Sequence, residues 1–414
     1  MKHCRWITAL SLFLALLNTQ AADWQPLVKK NSTDGWIQRG GKAIYKVEGD
    51  MVIGTTVPNT PNSFLCTEKH YANFILELDF KVDPKMNSGV QIRSHSLKSY
   101  KDGRVHGYQV EIDPSDRAWS GGIYGEGQRG WLNNLKDNKA AQQAFRQNEW
   151  NHYRVEAIGP RIRTWINGVP AADLHDAITP SGFIALQVHG IGKRTDEMQI
   201  RWKNIRIQDL GETKPIALFD GTNLDQWQFK NGKPVDKGWV IQKGVLYRGE
   251  KVGDIFTKLS FADFDFQWEW KVAEGSNSGV KYRMADYKGA FLGPEYQVLD
   301  DEKHPDGAKR EGRRKSGAVY DLFPCNDSKK LMPVGEWNKS RVLAQGTKVE
   351  HWLNGTMVAS YDTSSEEWKE AVAGSKFAKH PTFAQNPWGP IMFQDHNDPV
   401  WYRNVTILPL PPKD

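Results

Sequence analysis

The sequence predicts an all-β protein made of two β-sandwiches in tandem. Three observations lead to this prediction. Motifs recur in the same order after about 190 residues, as when "NSGVQIRS" at Asn87 returns as "NSGVKYRM" at Asn277. Apolar and polar residues alternate with a period of two, which is typical of strands, and helical patterns are scarce. A repeat of this length is a domain rather than a solenoid unit.

The first 22 residues have the features of a secretory signal peptide. A basic start that contains Lys2 and Arg5 precedes the apolar run Trp6 to Leu17, and small residues follow it. The run is too short for a membrane span, which needs about 20 apolar residues. We therefore expect residues 1–22 to be removed near Ala22, a secreted or periplasmic location, and no transmembrane segment.

The two repeats define domains at residues 23–210 and 211–414, joined by the linker "QDLGETKPI". Within each repeat, "WINGV" and "WLNGT" place Asn-Gly between short strands, which is a strong hairpin signal. Two short helices are also expected, one at "NKAAQQAF" and one at "SSEEWKEAVAG", where Ser364 and Glu367 have the spacing of a capping box. Many short strands and few helices in about 190 residues favour a two-sheet sandwich.

Charge and cysteine content argue against several classes of protein. The net charge of +6 falls to +4 without Lys2 and Arg5, and both signs are interspersed, so we expect no nucleic-acid partner. The basic run Lys309 to Lys315 is predicted to be a mobile, solvated loop. Cys66 and Cys325 are too few for a disulfide framework and lack zinc-type neighbours. "DDEKHPDG" is interpreted as a polar loop; no cofactor is identified, and a metal ion is left open.

The second repeat contains a recognisable series of motifs: "LFDGTNLDQW" at Leu218, "NSGV" with an arginine three residues later, "EYQVLDD", "GEWN" and "FQDHNDPVWYRNV". This series resembles the 3-keto-disaccharide hydrolase family, and the first repeat keeps the later motifs. The resemblance implies two tandem concanavalin A-like jelly rolls. It also implies cleavage, by elimination and hydration or by hydrolysis, of a glycoside that a separate oxidoreductase has oxidised at C3.

Such chemistry needs a base near C2, donors for the enolate oxygen and an acid for the leaving group. Polar residues at alternate positions of the repeated segments are the candidates, although a solvated strand face or ion pairs would also explain them. Candidate catalytic residues are Glu111, Asp113 and His189 in the first repeat and Glu295, Asp301 and His396 in the second. Candidate substrate-binding residues are Arg93, Gln109, Arg129 and Gln187, and Arg283, Gln297, Asp300, Gln394 and the stacking platform Trp401.

Aligning "GYQVEID" with "EYQVLDD" puts Glu295 in place of Gly107 and Leu299 in place of Glu111. In this alignment Glu295, Gln297 and Asp301 share one strand face. The Asn-Ser-Gly motifs are expected to shape turns, because glycine permits backbone angles that other residues avoid. Which repeat is active stays open.

Two alternatives remain. Glu111, Asp113 and Asp116 resemble the catalytic strand of laminarinase-type retaining glucanases, although Pro114 is expected to end the strand before Asp116. The other alternative is a pair of lectin-like modules that bind polysaccharide without cleaving it. Tandem modules would raise avidity through effective concentration.

Overall fold

The computed structural model describes residues 23–414, so the predicted signal peptide lies outside the described residues. These residues form two antiparallel β-sandwiches, one for each repeat, of the concanavalin A-like jelly-roll class. Among them, no helix has the length and apolar character needed to cross a bilayer.

The strands of the first repeat are β1 (Gln25–Pro26), β2 (Trp36–Gly40), β3 (Ile44–Glu48), β4 (Met51–Thr55), β5 (Ser63–Thr67), β6 (Asn73–Val82), β7 (Ser88–His95), β8 (His106–Ile112), β9 (Ile123–Glu126), β10 (Gly130–Asn133), β11 (Asn151–Ile158), β12 (Arg161–Ile166), β13 (Val169–His175), β14 (Phe183–Val188) and β15 (Gln199–Gly211). Helix α1 (Lys139–Ala144) lies between β10 and β11, and a 3-10 turn (Lys101–Gly103) precedes β8.

The strands of the second repeat are β16 (Ile216–Phe219), β17 (Trp227–Phe229), β18 (Trp239–Gln242), β19 (Val245–Arg248), β20 (Ile255–Thr257), β21 (Asp263–Val272), β22 (Asn277–Lys281), β23 (Ala285–Tyr287), β24 (Ala290–Leu292), β25 (Glu295–Leu299), β26 (Asn338–Gln345), β27 (Lys348–Leu353), β28 (Thr356–Asp362), β29 (Met392–Phe393) and β30 (Val400–Leu410). Two 3-10 turns (Pro305–Ala308 and Arg310–Gly312) follow β25, and helix α2 (Glu366–Ala373) follows β28.

Each sandwich pairs a large sheet with a second sheet that we call the site sheet. In the first sandwich the large sheet has the order β13-β12-β11-β6-β15-β4-β3, with β1 beside β15, and the site sheet has the order β10-β9-β8-β7-β14-β5-β2. In the second sandwich the large sheet has the order β18-β19-β30-β21-β26-β27-β28, with β16 beside β30. Its site sheet, β17-β20-β29-β22-β25, is shorter, and the hairpin β23-β24 stands apart from it.

The predicted turns and helices are confirmed with small shifts. Asn167 and Asn354 have positive φ angles of 48° and 49°, as the predicted Asn-Gly hairpins require. Helix α2 begins one residue later than expected, because the side chain of Ser365, rather than Ser364, accepts the cap hydrogen bond from Trp368 N.

Apolar side chains from the two facing sheets fill each sandwich. Phe80, Tyr108 and Trp202 are fully buried in the first core, and Trp268 and Tyr296 are fully buried in the second. Burial at roughly 25 cal/mol per Å2 of apolar surface makes these aromatic rings the main support of each domain. The Trp-rich composition is therefore largely explained by the cores.

Candidate active site

A polar pocket of about 370 Å3 lies on the site sheet of the first sandwich. Four of the predicted site residues line it: Gln109, Glu111, Gln187 and His189. The other lining residues come from neighbouring strands and loops: Asn62, Asn87, Arg104, Arg117, Tyr124, Glu126 and Trp131. We call this cavity the first pocket.

Strand register brings the predicted residues together. Gly89 on β7 is the direct partner of Glu111 on β8 and of Gln187 on β14, so the three positions form one row across one face of the sheet. A Cβ atom at Gly89 would lie 2.5 Å from the Gln109 side chain. The glycine therefore provides space for Gln109 within a strand, and the expectation that Asn-Ser-Gly forms a turn is wrong.

Glu111 is the central acid of the first pocket. It is 4% exposed, and its carboxylate accepts hydrogen bonds from Asn87 Nδ2 at 2.7 Å and Gln109 Nε2 at 2.8 Å. Gln91 Nε2 donates in turn to Gln109 Oε1 at 2.5 Å, which fixes the orientation of that amide. Burial raises the pKa of Glu111 to about 7, despite the two amide donors. A carboxyl with this pKa can exchange a proton near neutral pH.

Gln187 and His189 occupy the opposite side of the row. Gln187 is fully buried, and within the described chain neither its amide nitrogen nor its amide oxygen has a hydrogen-bond partner. A buried amide without partners is costly and indicates a bound water or ligand. His189 is half-buried, and its Nδ1 lies 2.8 Å from Gly190 O.

The rim of the first pocket contains aromatic and charged residues that the sequence analysis missed. Arg117 lies over the rings of Trp119 and Trp131, at 4.8 and 5.1 Å, and Tyr124 contacts Trp131 edge-on. Tyr124 and Glu126 are two residues apart on β9 and therefore project to the same face of the sheet. The period-two pattern of the motif "GIYGEG" could have predicted this shared face.

Asp113 does not join this site. Strand β8 ends at Ile112, and the Asp113 carboxylate accepts hydrogen bonds from Arg117 Nε at 2.7 Å and Ser115 Oγ at 2.6 Å. It therefore stabilises the loop after the strand, which corrects its prediction as a catalytic residue. Asp116 is exposed, so the three-acid pattern of a laminarinase is not assembled here.

The predicted substrate-binding arginines lie outside the first pocket. In the first sandwich, Arg93 donates to Ala72 O and Gly159 O, both at 2.8 Å. Arg129 forms a two-bond ion pair with Asp176. These guanidinium groups bind carbonyl and carboxylate groups of the protein itself and do not line the first pocket.

Arg283 repeats the contacts of Arg93 in the second sandwich. It donates to Ala262 O at 2.8 Å and Gly346 O at 2.7 Å, and it also pairs with Asp263 at 2.9 Å. The prediction of substrate contact at this arginine is corrected for the same reason.

The second sandwich shows which residues of the two repeats correspond. Gly279 is the direct partner of Gln297, as Gly89 is of Glu111. The backbone hydrogen bond from Gly317 N to Gln297 O is 2.9 Å, the same as that from Gly121 N to Glu111 O. The counterpart of Glu111 is therefore Gln297, and the alignment that put Leu299 there was wrong by two residues.

The same register makes Glu295 the counterpart of Gln109. Glu295 is 5% exposed and lies 3.6 Å from Lys281 Nζ, where the first sandwich has Gln91. Gln297 is 1% exposed, and within the described chain its Nε2 has no partner. Acid and amide have thus exchanged places between the two sandwiches.

Asp300 and Asp301 lie beyond the end of β25 and line a separate hollow of about 600 Å3. Asp300 accepts from three backbone N–H groups, with Gly275 N nearest at 2.8 Å, and Asp301 pairs with Lys329. Neither joins Glu295 on the site sheet, so their predicted roles beside it are corrected.

Gln394 and His396 match Gln187 and His189, as predicted. Ser278 Oγ donates to Gln394 O at 2.8 Å, as Ser88 Oγ does to Gln187 O at 2.6 Å. His396 is exposed and lies 3.5 Å from Asp398.

A cluster of His304, His396 and Asp398 has ligand-type atoms within 4.8 Å of one another. Nδ1 of His304 accepts a hydrogen bond from Asp306 N at 3.2 Å, so the neutral ring carries its proton on Nε2. A metal-bound histidine normally uses its second ring nitrogen as a donor instead. We therefore assign no metal to this cluster.

The remaining predictions in the second sandwich need correction. Trp401 lies on the large sheet, where Tyr247 covers one of its faces at 5.0 Å and Lys271 lies 5.2 Å from its ring, so it is not a sugar-stacking platform at the site sheet. The predicted mobile basic loop is instead ordered, since Arg314 Nε donates to Asp321 at 2.8 Å.

Comparison with known proteins assigns the chain to a family. The model of the 3-keto-alpha-glucoside-1,2-lyase-like domain family matches residues 23–208 and again residues 214–408. The chain belongs to this family. Both copies of the family domain contain the rows of polar residues described above, and membership makes this a carbohydrate-active protein.

Similar proteins include a 3-keto-disaccharide hydrolase of Bacteroides thetaiotaomicron, 30% identical over 224 residues, which are 46% of this chain and 77% of that protein. A Parabacteroides distasonis protein provisionally assigned as a glycosyl hydrolase is 34% identical, with a TM-score of 0.44 over 47% of this chain and 94% of its own. A second such protein from that organism is 25% identical, with a TM-score of 0.38 over 48% and 100% of the two chains.

Proposed function

We propose that the protein cleaves 3-keto-glycosides in the first pocket, by elimination across C1 and C2. The observation that carries this proposal is Glu111, a buried carboxyl with a pKa of about 7 that two amide donors hold in a polar pocket. Family membership and the printed name of the Bacteroides relative support the choice of substrate.

The C3 ketone of such a substrate makes the hydrogen at C2 acidic. Glu111, in its ionised form, takes this proton, and the negative charge moves to the ketone oxygen. The enolate then expels the aglycone oxygen from C1 and leaves a C1=C2 double bond, so no oxidant or water is consumed. Gln187 has an amide N–H group without a partner and can donate to the enolate oxygen.

His189 lines the same pocket and is suited to return a proton to the leaving oxygen. If its Nδ1–H donates to Gly190 O, Nε2 is the nitrogen available for exchange. The proposal assigns the base role to Glu111, the oxyanion role to Gln187 and the acid role to His189.

A retaining glucanase is disfavoured by the same geometry. That mechanism needs a second carboxyl about 5–5.5 Å from the first, one to attack and one to protonate. Asp113, the nearest acid along the chain, is held by Arg117 and Ser115 in the following loop. Glu126, the other carboxyl of the first pocket, is paired with Gly107, which lies about 14 Å along β8 from Glu111 at 3.4 Å per residue. We therefore propose elimination with one central carboxyl.

The test compares three substrates with the purified protein: a 3-keto-α-glucoside, its unoxidised parent and laminarin. Release of the aglycone from the keto compound alone is the expected result. Release from laminarin would support a glucanase, and retention on polysaccharide without products would support a lectin. Glu111→Gln should lose the activity, whereas Glu295→Gln, the matched variant of the other sandwich, should retain it.

We also propose that the chain is exported and that a separate oxidoreductase supplies its substrate. The basic start and apolar run of residues 1–22 support export. The C3 ketone must come from the oxidation of a secondary alcohol, which elimination cannot provide. Cell fractionation followed by N-terminal sequencing tests the first point; a mature chain that begins at Met1 in the cytoplasm would contradict it.

A further inference from the structure

We propose that the end of the first pocket opposite Glu111 is a subsite for a second sugar ring, with Glu126 as the residue that binds its hydroxyl groups. This inference rests on the proposed function, because it concerns the ring that the proposed cleavage releases. It adds a residue, Glu126, that the cleavage chemistry does not use.

Strand register places Glu126 on the same face as the proposed base. Gln109 is the direct partner of Tyr124, and Gly107 is the direct partner of Glu126. Because directly paired residues project to the same side of a sheet, Glu126 lies on the pocket face with Gln109 and Glu111. All three residues line the same cavity.

The two glutamates mark opposite ends of the first pocket. Glu111 and Gly107 are four residues apart on β8, which corresponds to about 14 Å of strand at 3.4 Å per residue. This length exceeds what one sugar ring covers. Glu126 is therefore placed to meet a second ring when the first has its C2 hydrogen at Glu111.

The Glu126 carboxyl has unused hydrogen-bonding capacity. It is 7% exposed, and its ionic partner Arg104 lies 3.8 Å away, beyond hydrogen-bond range, with 55% of its own side chain exposed. A carboxylate can accept about four hydrogen bonds. Burial also raises the pKa of Glu126, as expected of a carboxyl with few close partners.

The chemistry of this end suits a neutral, hydroxyl-rich ring. Glu126 offers acceptors and Arg104 offers donors, a combination that can bind adjacent hydroxyl groups. The ring of Tyr124 lies between this pair and Glu111, in edge contact with Trp131. In the second sandwich, Tyr320 N donates to the backbone of Glu295, the counterpart of Gln109, so Tyr320 is the counterpart of Tyr124. The residue two positions later is Leu322, which is buried in the core, so this subsite belongs to the first sandwich.

The experiment measures kcat/KM on two substrates that share the reacting ring. One is a 3-keto-α-glucosyl-glucose disaccharide, and the other is 4-nitrophenyl 3-keto-α-glucoside, whose leaving group has no sugar hydroxyls. Glu126→Gln should lower kcat/KM for the disaccharide about 10- to 100-fold, because hydrogen bonds to a charged group are lost. It should leave the aryl glycoside within about 2-fold of the wild type. Glu149→Gln, at an exposed position, is the matched control and should change neither.

Equal losses on both substrates would overturn the proposal, because they would show that Glu126 supports the pocket rather than contacts the leaving sugar. An unchanged disaccharide rate would also overturn it. If the wild type cleaved neither keto compound, the proposed function would fail. Calorimetric binding of the unoxidised disaccharide to the wild type and to Glu126→Gln would then decide whether the subsite exists. A wild-type affinity that Glu126→Gln weakens would then support it, and no binding or an unchanged Kd would refute it.

Discussion

The two sandwiches use the same backbone to hold different chemistry. In the first, Gln109 and Glu111 alternate along β8; in the second, Glu295 and Gln297 occupy the same two positions. The acid of the first sandwich accepts from two amides and lies 4.0 Å from Arg117 at the rim, whereas Glu295 lies 3.6 Å from Lys281 on the neighbouring strand. Moving a carboxyl by two residues thus replaces two amide donors with an ammonium group.

This difference separates a carboxyl suited to proton transfer from one in an ion pair. Burial brings the pKa of Glu111 to about 7, so both protonation states are populated at neutral pH. Glu295 instead lies 3.6 Å from the Lys281 ammonium group, in a largely buried ion pair. The comparison therefore supports the proposal that Glu111, in the first sandwich, is the base.

The largest expected effect comes from removing the proposed base. Glu111→Gln should lower kcat/KM on a 3-keto-glucoside by about 10²- to 10⁴-fold, the usual contribution of general base catalysis. Glu295→Gln should change it by less than about 3-fold. Steady-state rates of aglycone release measure both. The opposite ranking would move the active site to the second sandwich.

The shared arginines should be equally important for stability in both sandwiches. Arg93→Ala and Arg283→Ala each remove a buried guanidinium group and leave two carbonyl groups without their donor, so each should lower the free energy of unfolding by about 2–4 kcal/mol. Arg283→Ala should cost more, because it also leaves Asp263 without its cation. Denaturant titration followed by tryptophan fluorescence gives the values, and a loss only of activity would indicate substrate contact.

The pH dependence of stability should separate Glu111→Gln from the wild type. Folded Glu111 has a pKa of about 7, above its ordinary value of 4.5, so it binds a proton more tightly than the unfolded chain does. The wild-type free energy of unfolding should therefore fall by about 3 kcal/mol between pH 4.5 and 7, a contribution that Glu111→Gln lacks. Unfolding curves across this range test it; parallel pH profiles would refute the raised pKa.

Ionisation of Glu111 should also control the rate of cleavage. Since the base acts when ionised, kcat/KM should rise with pH through about 7. Glu295→Gln should keep this inflection. A profile that is flat between pH 5 and 8 would argue against Glu111 as the base.

The smallest expected effect on kcat/KM comes from substitution of Gly89 and Gly279, the glycines that lie beneath the Gln109 and Glu295 side chains. Gly89→Ala places a Cβ 2.5 Å from Gln109 and should push this side chain away from Glu111, which costs one hydrogen bond and about 10-fold in kcat/KM. Gly279→Ala places a Cβ 2.1 Å from Glu295 Oε1 and should leave the rate unchanged. Equal losses in the two variants would remove the distinction between the sandwiches.

The sequence was sufficient for the fold but only partly for the site. Repetition and period-two alternation predict two sandwiches, and Asn167 and Asn354 mark their hairpins. Gln187 and His189 were also found, because their motif recurs. The equivalence of Glu111 with Gln297 could not be predicted, since the letters "YQV" match best in a register that the hydrogen bonds of the strands do not use.

Contacts between residues far apart in the chain explain the other differences between the predicted and the observed site. Nothing near Arg93 in the chain reveals that its guanidinium reaches Ala72 O and Gly159 O. The role of Glu126 depends on its pairing with Gly107, from a strand 19 residues earlier. Such pairings depend on which strands lie side by side in the folded sheet. A single sequence shows only which side chains share one face of a strand.

The exchange of Glu and Gln across this pair of strands also has an evolutionary consequence. The codons of glutamate and glutamine differ at one nucleotide, and the side chains have nearly the same shape. Two point changes after a gene duplication would therefore suffice to relocate the acid without repacking the domain. A change of this kind lets two copies of one domain diverge in chemistry while their strands stay in place.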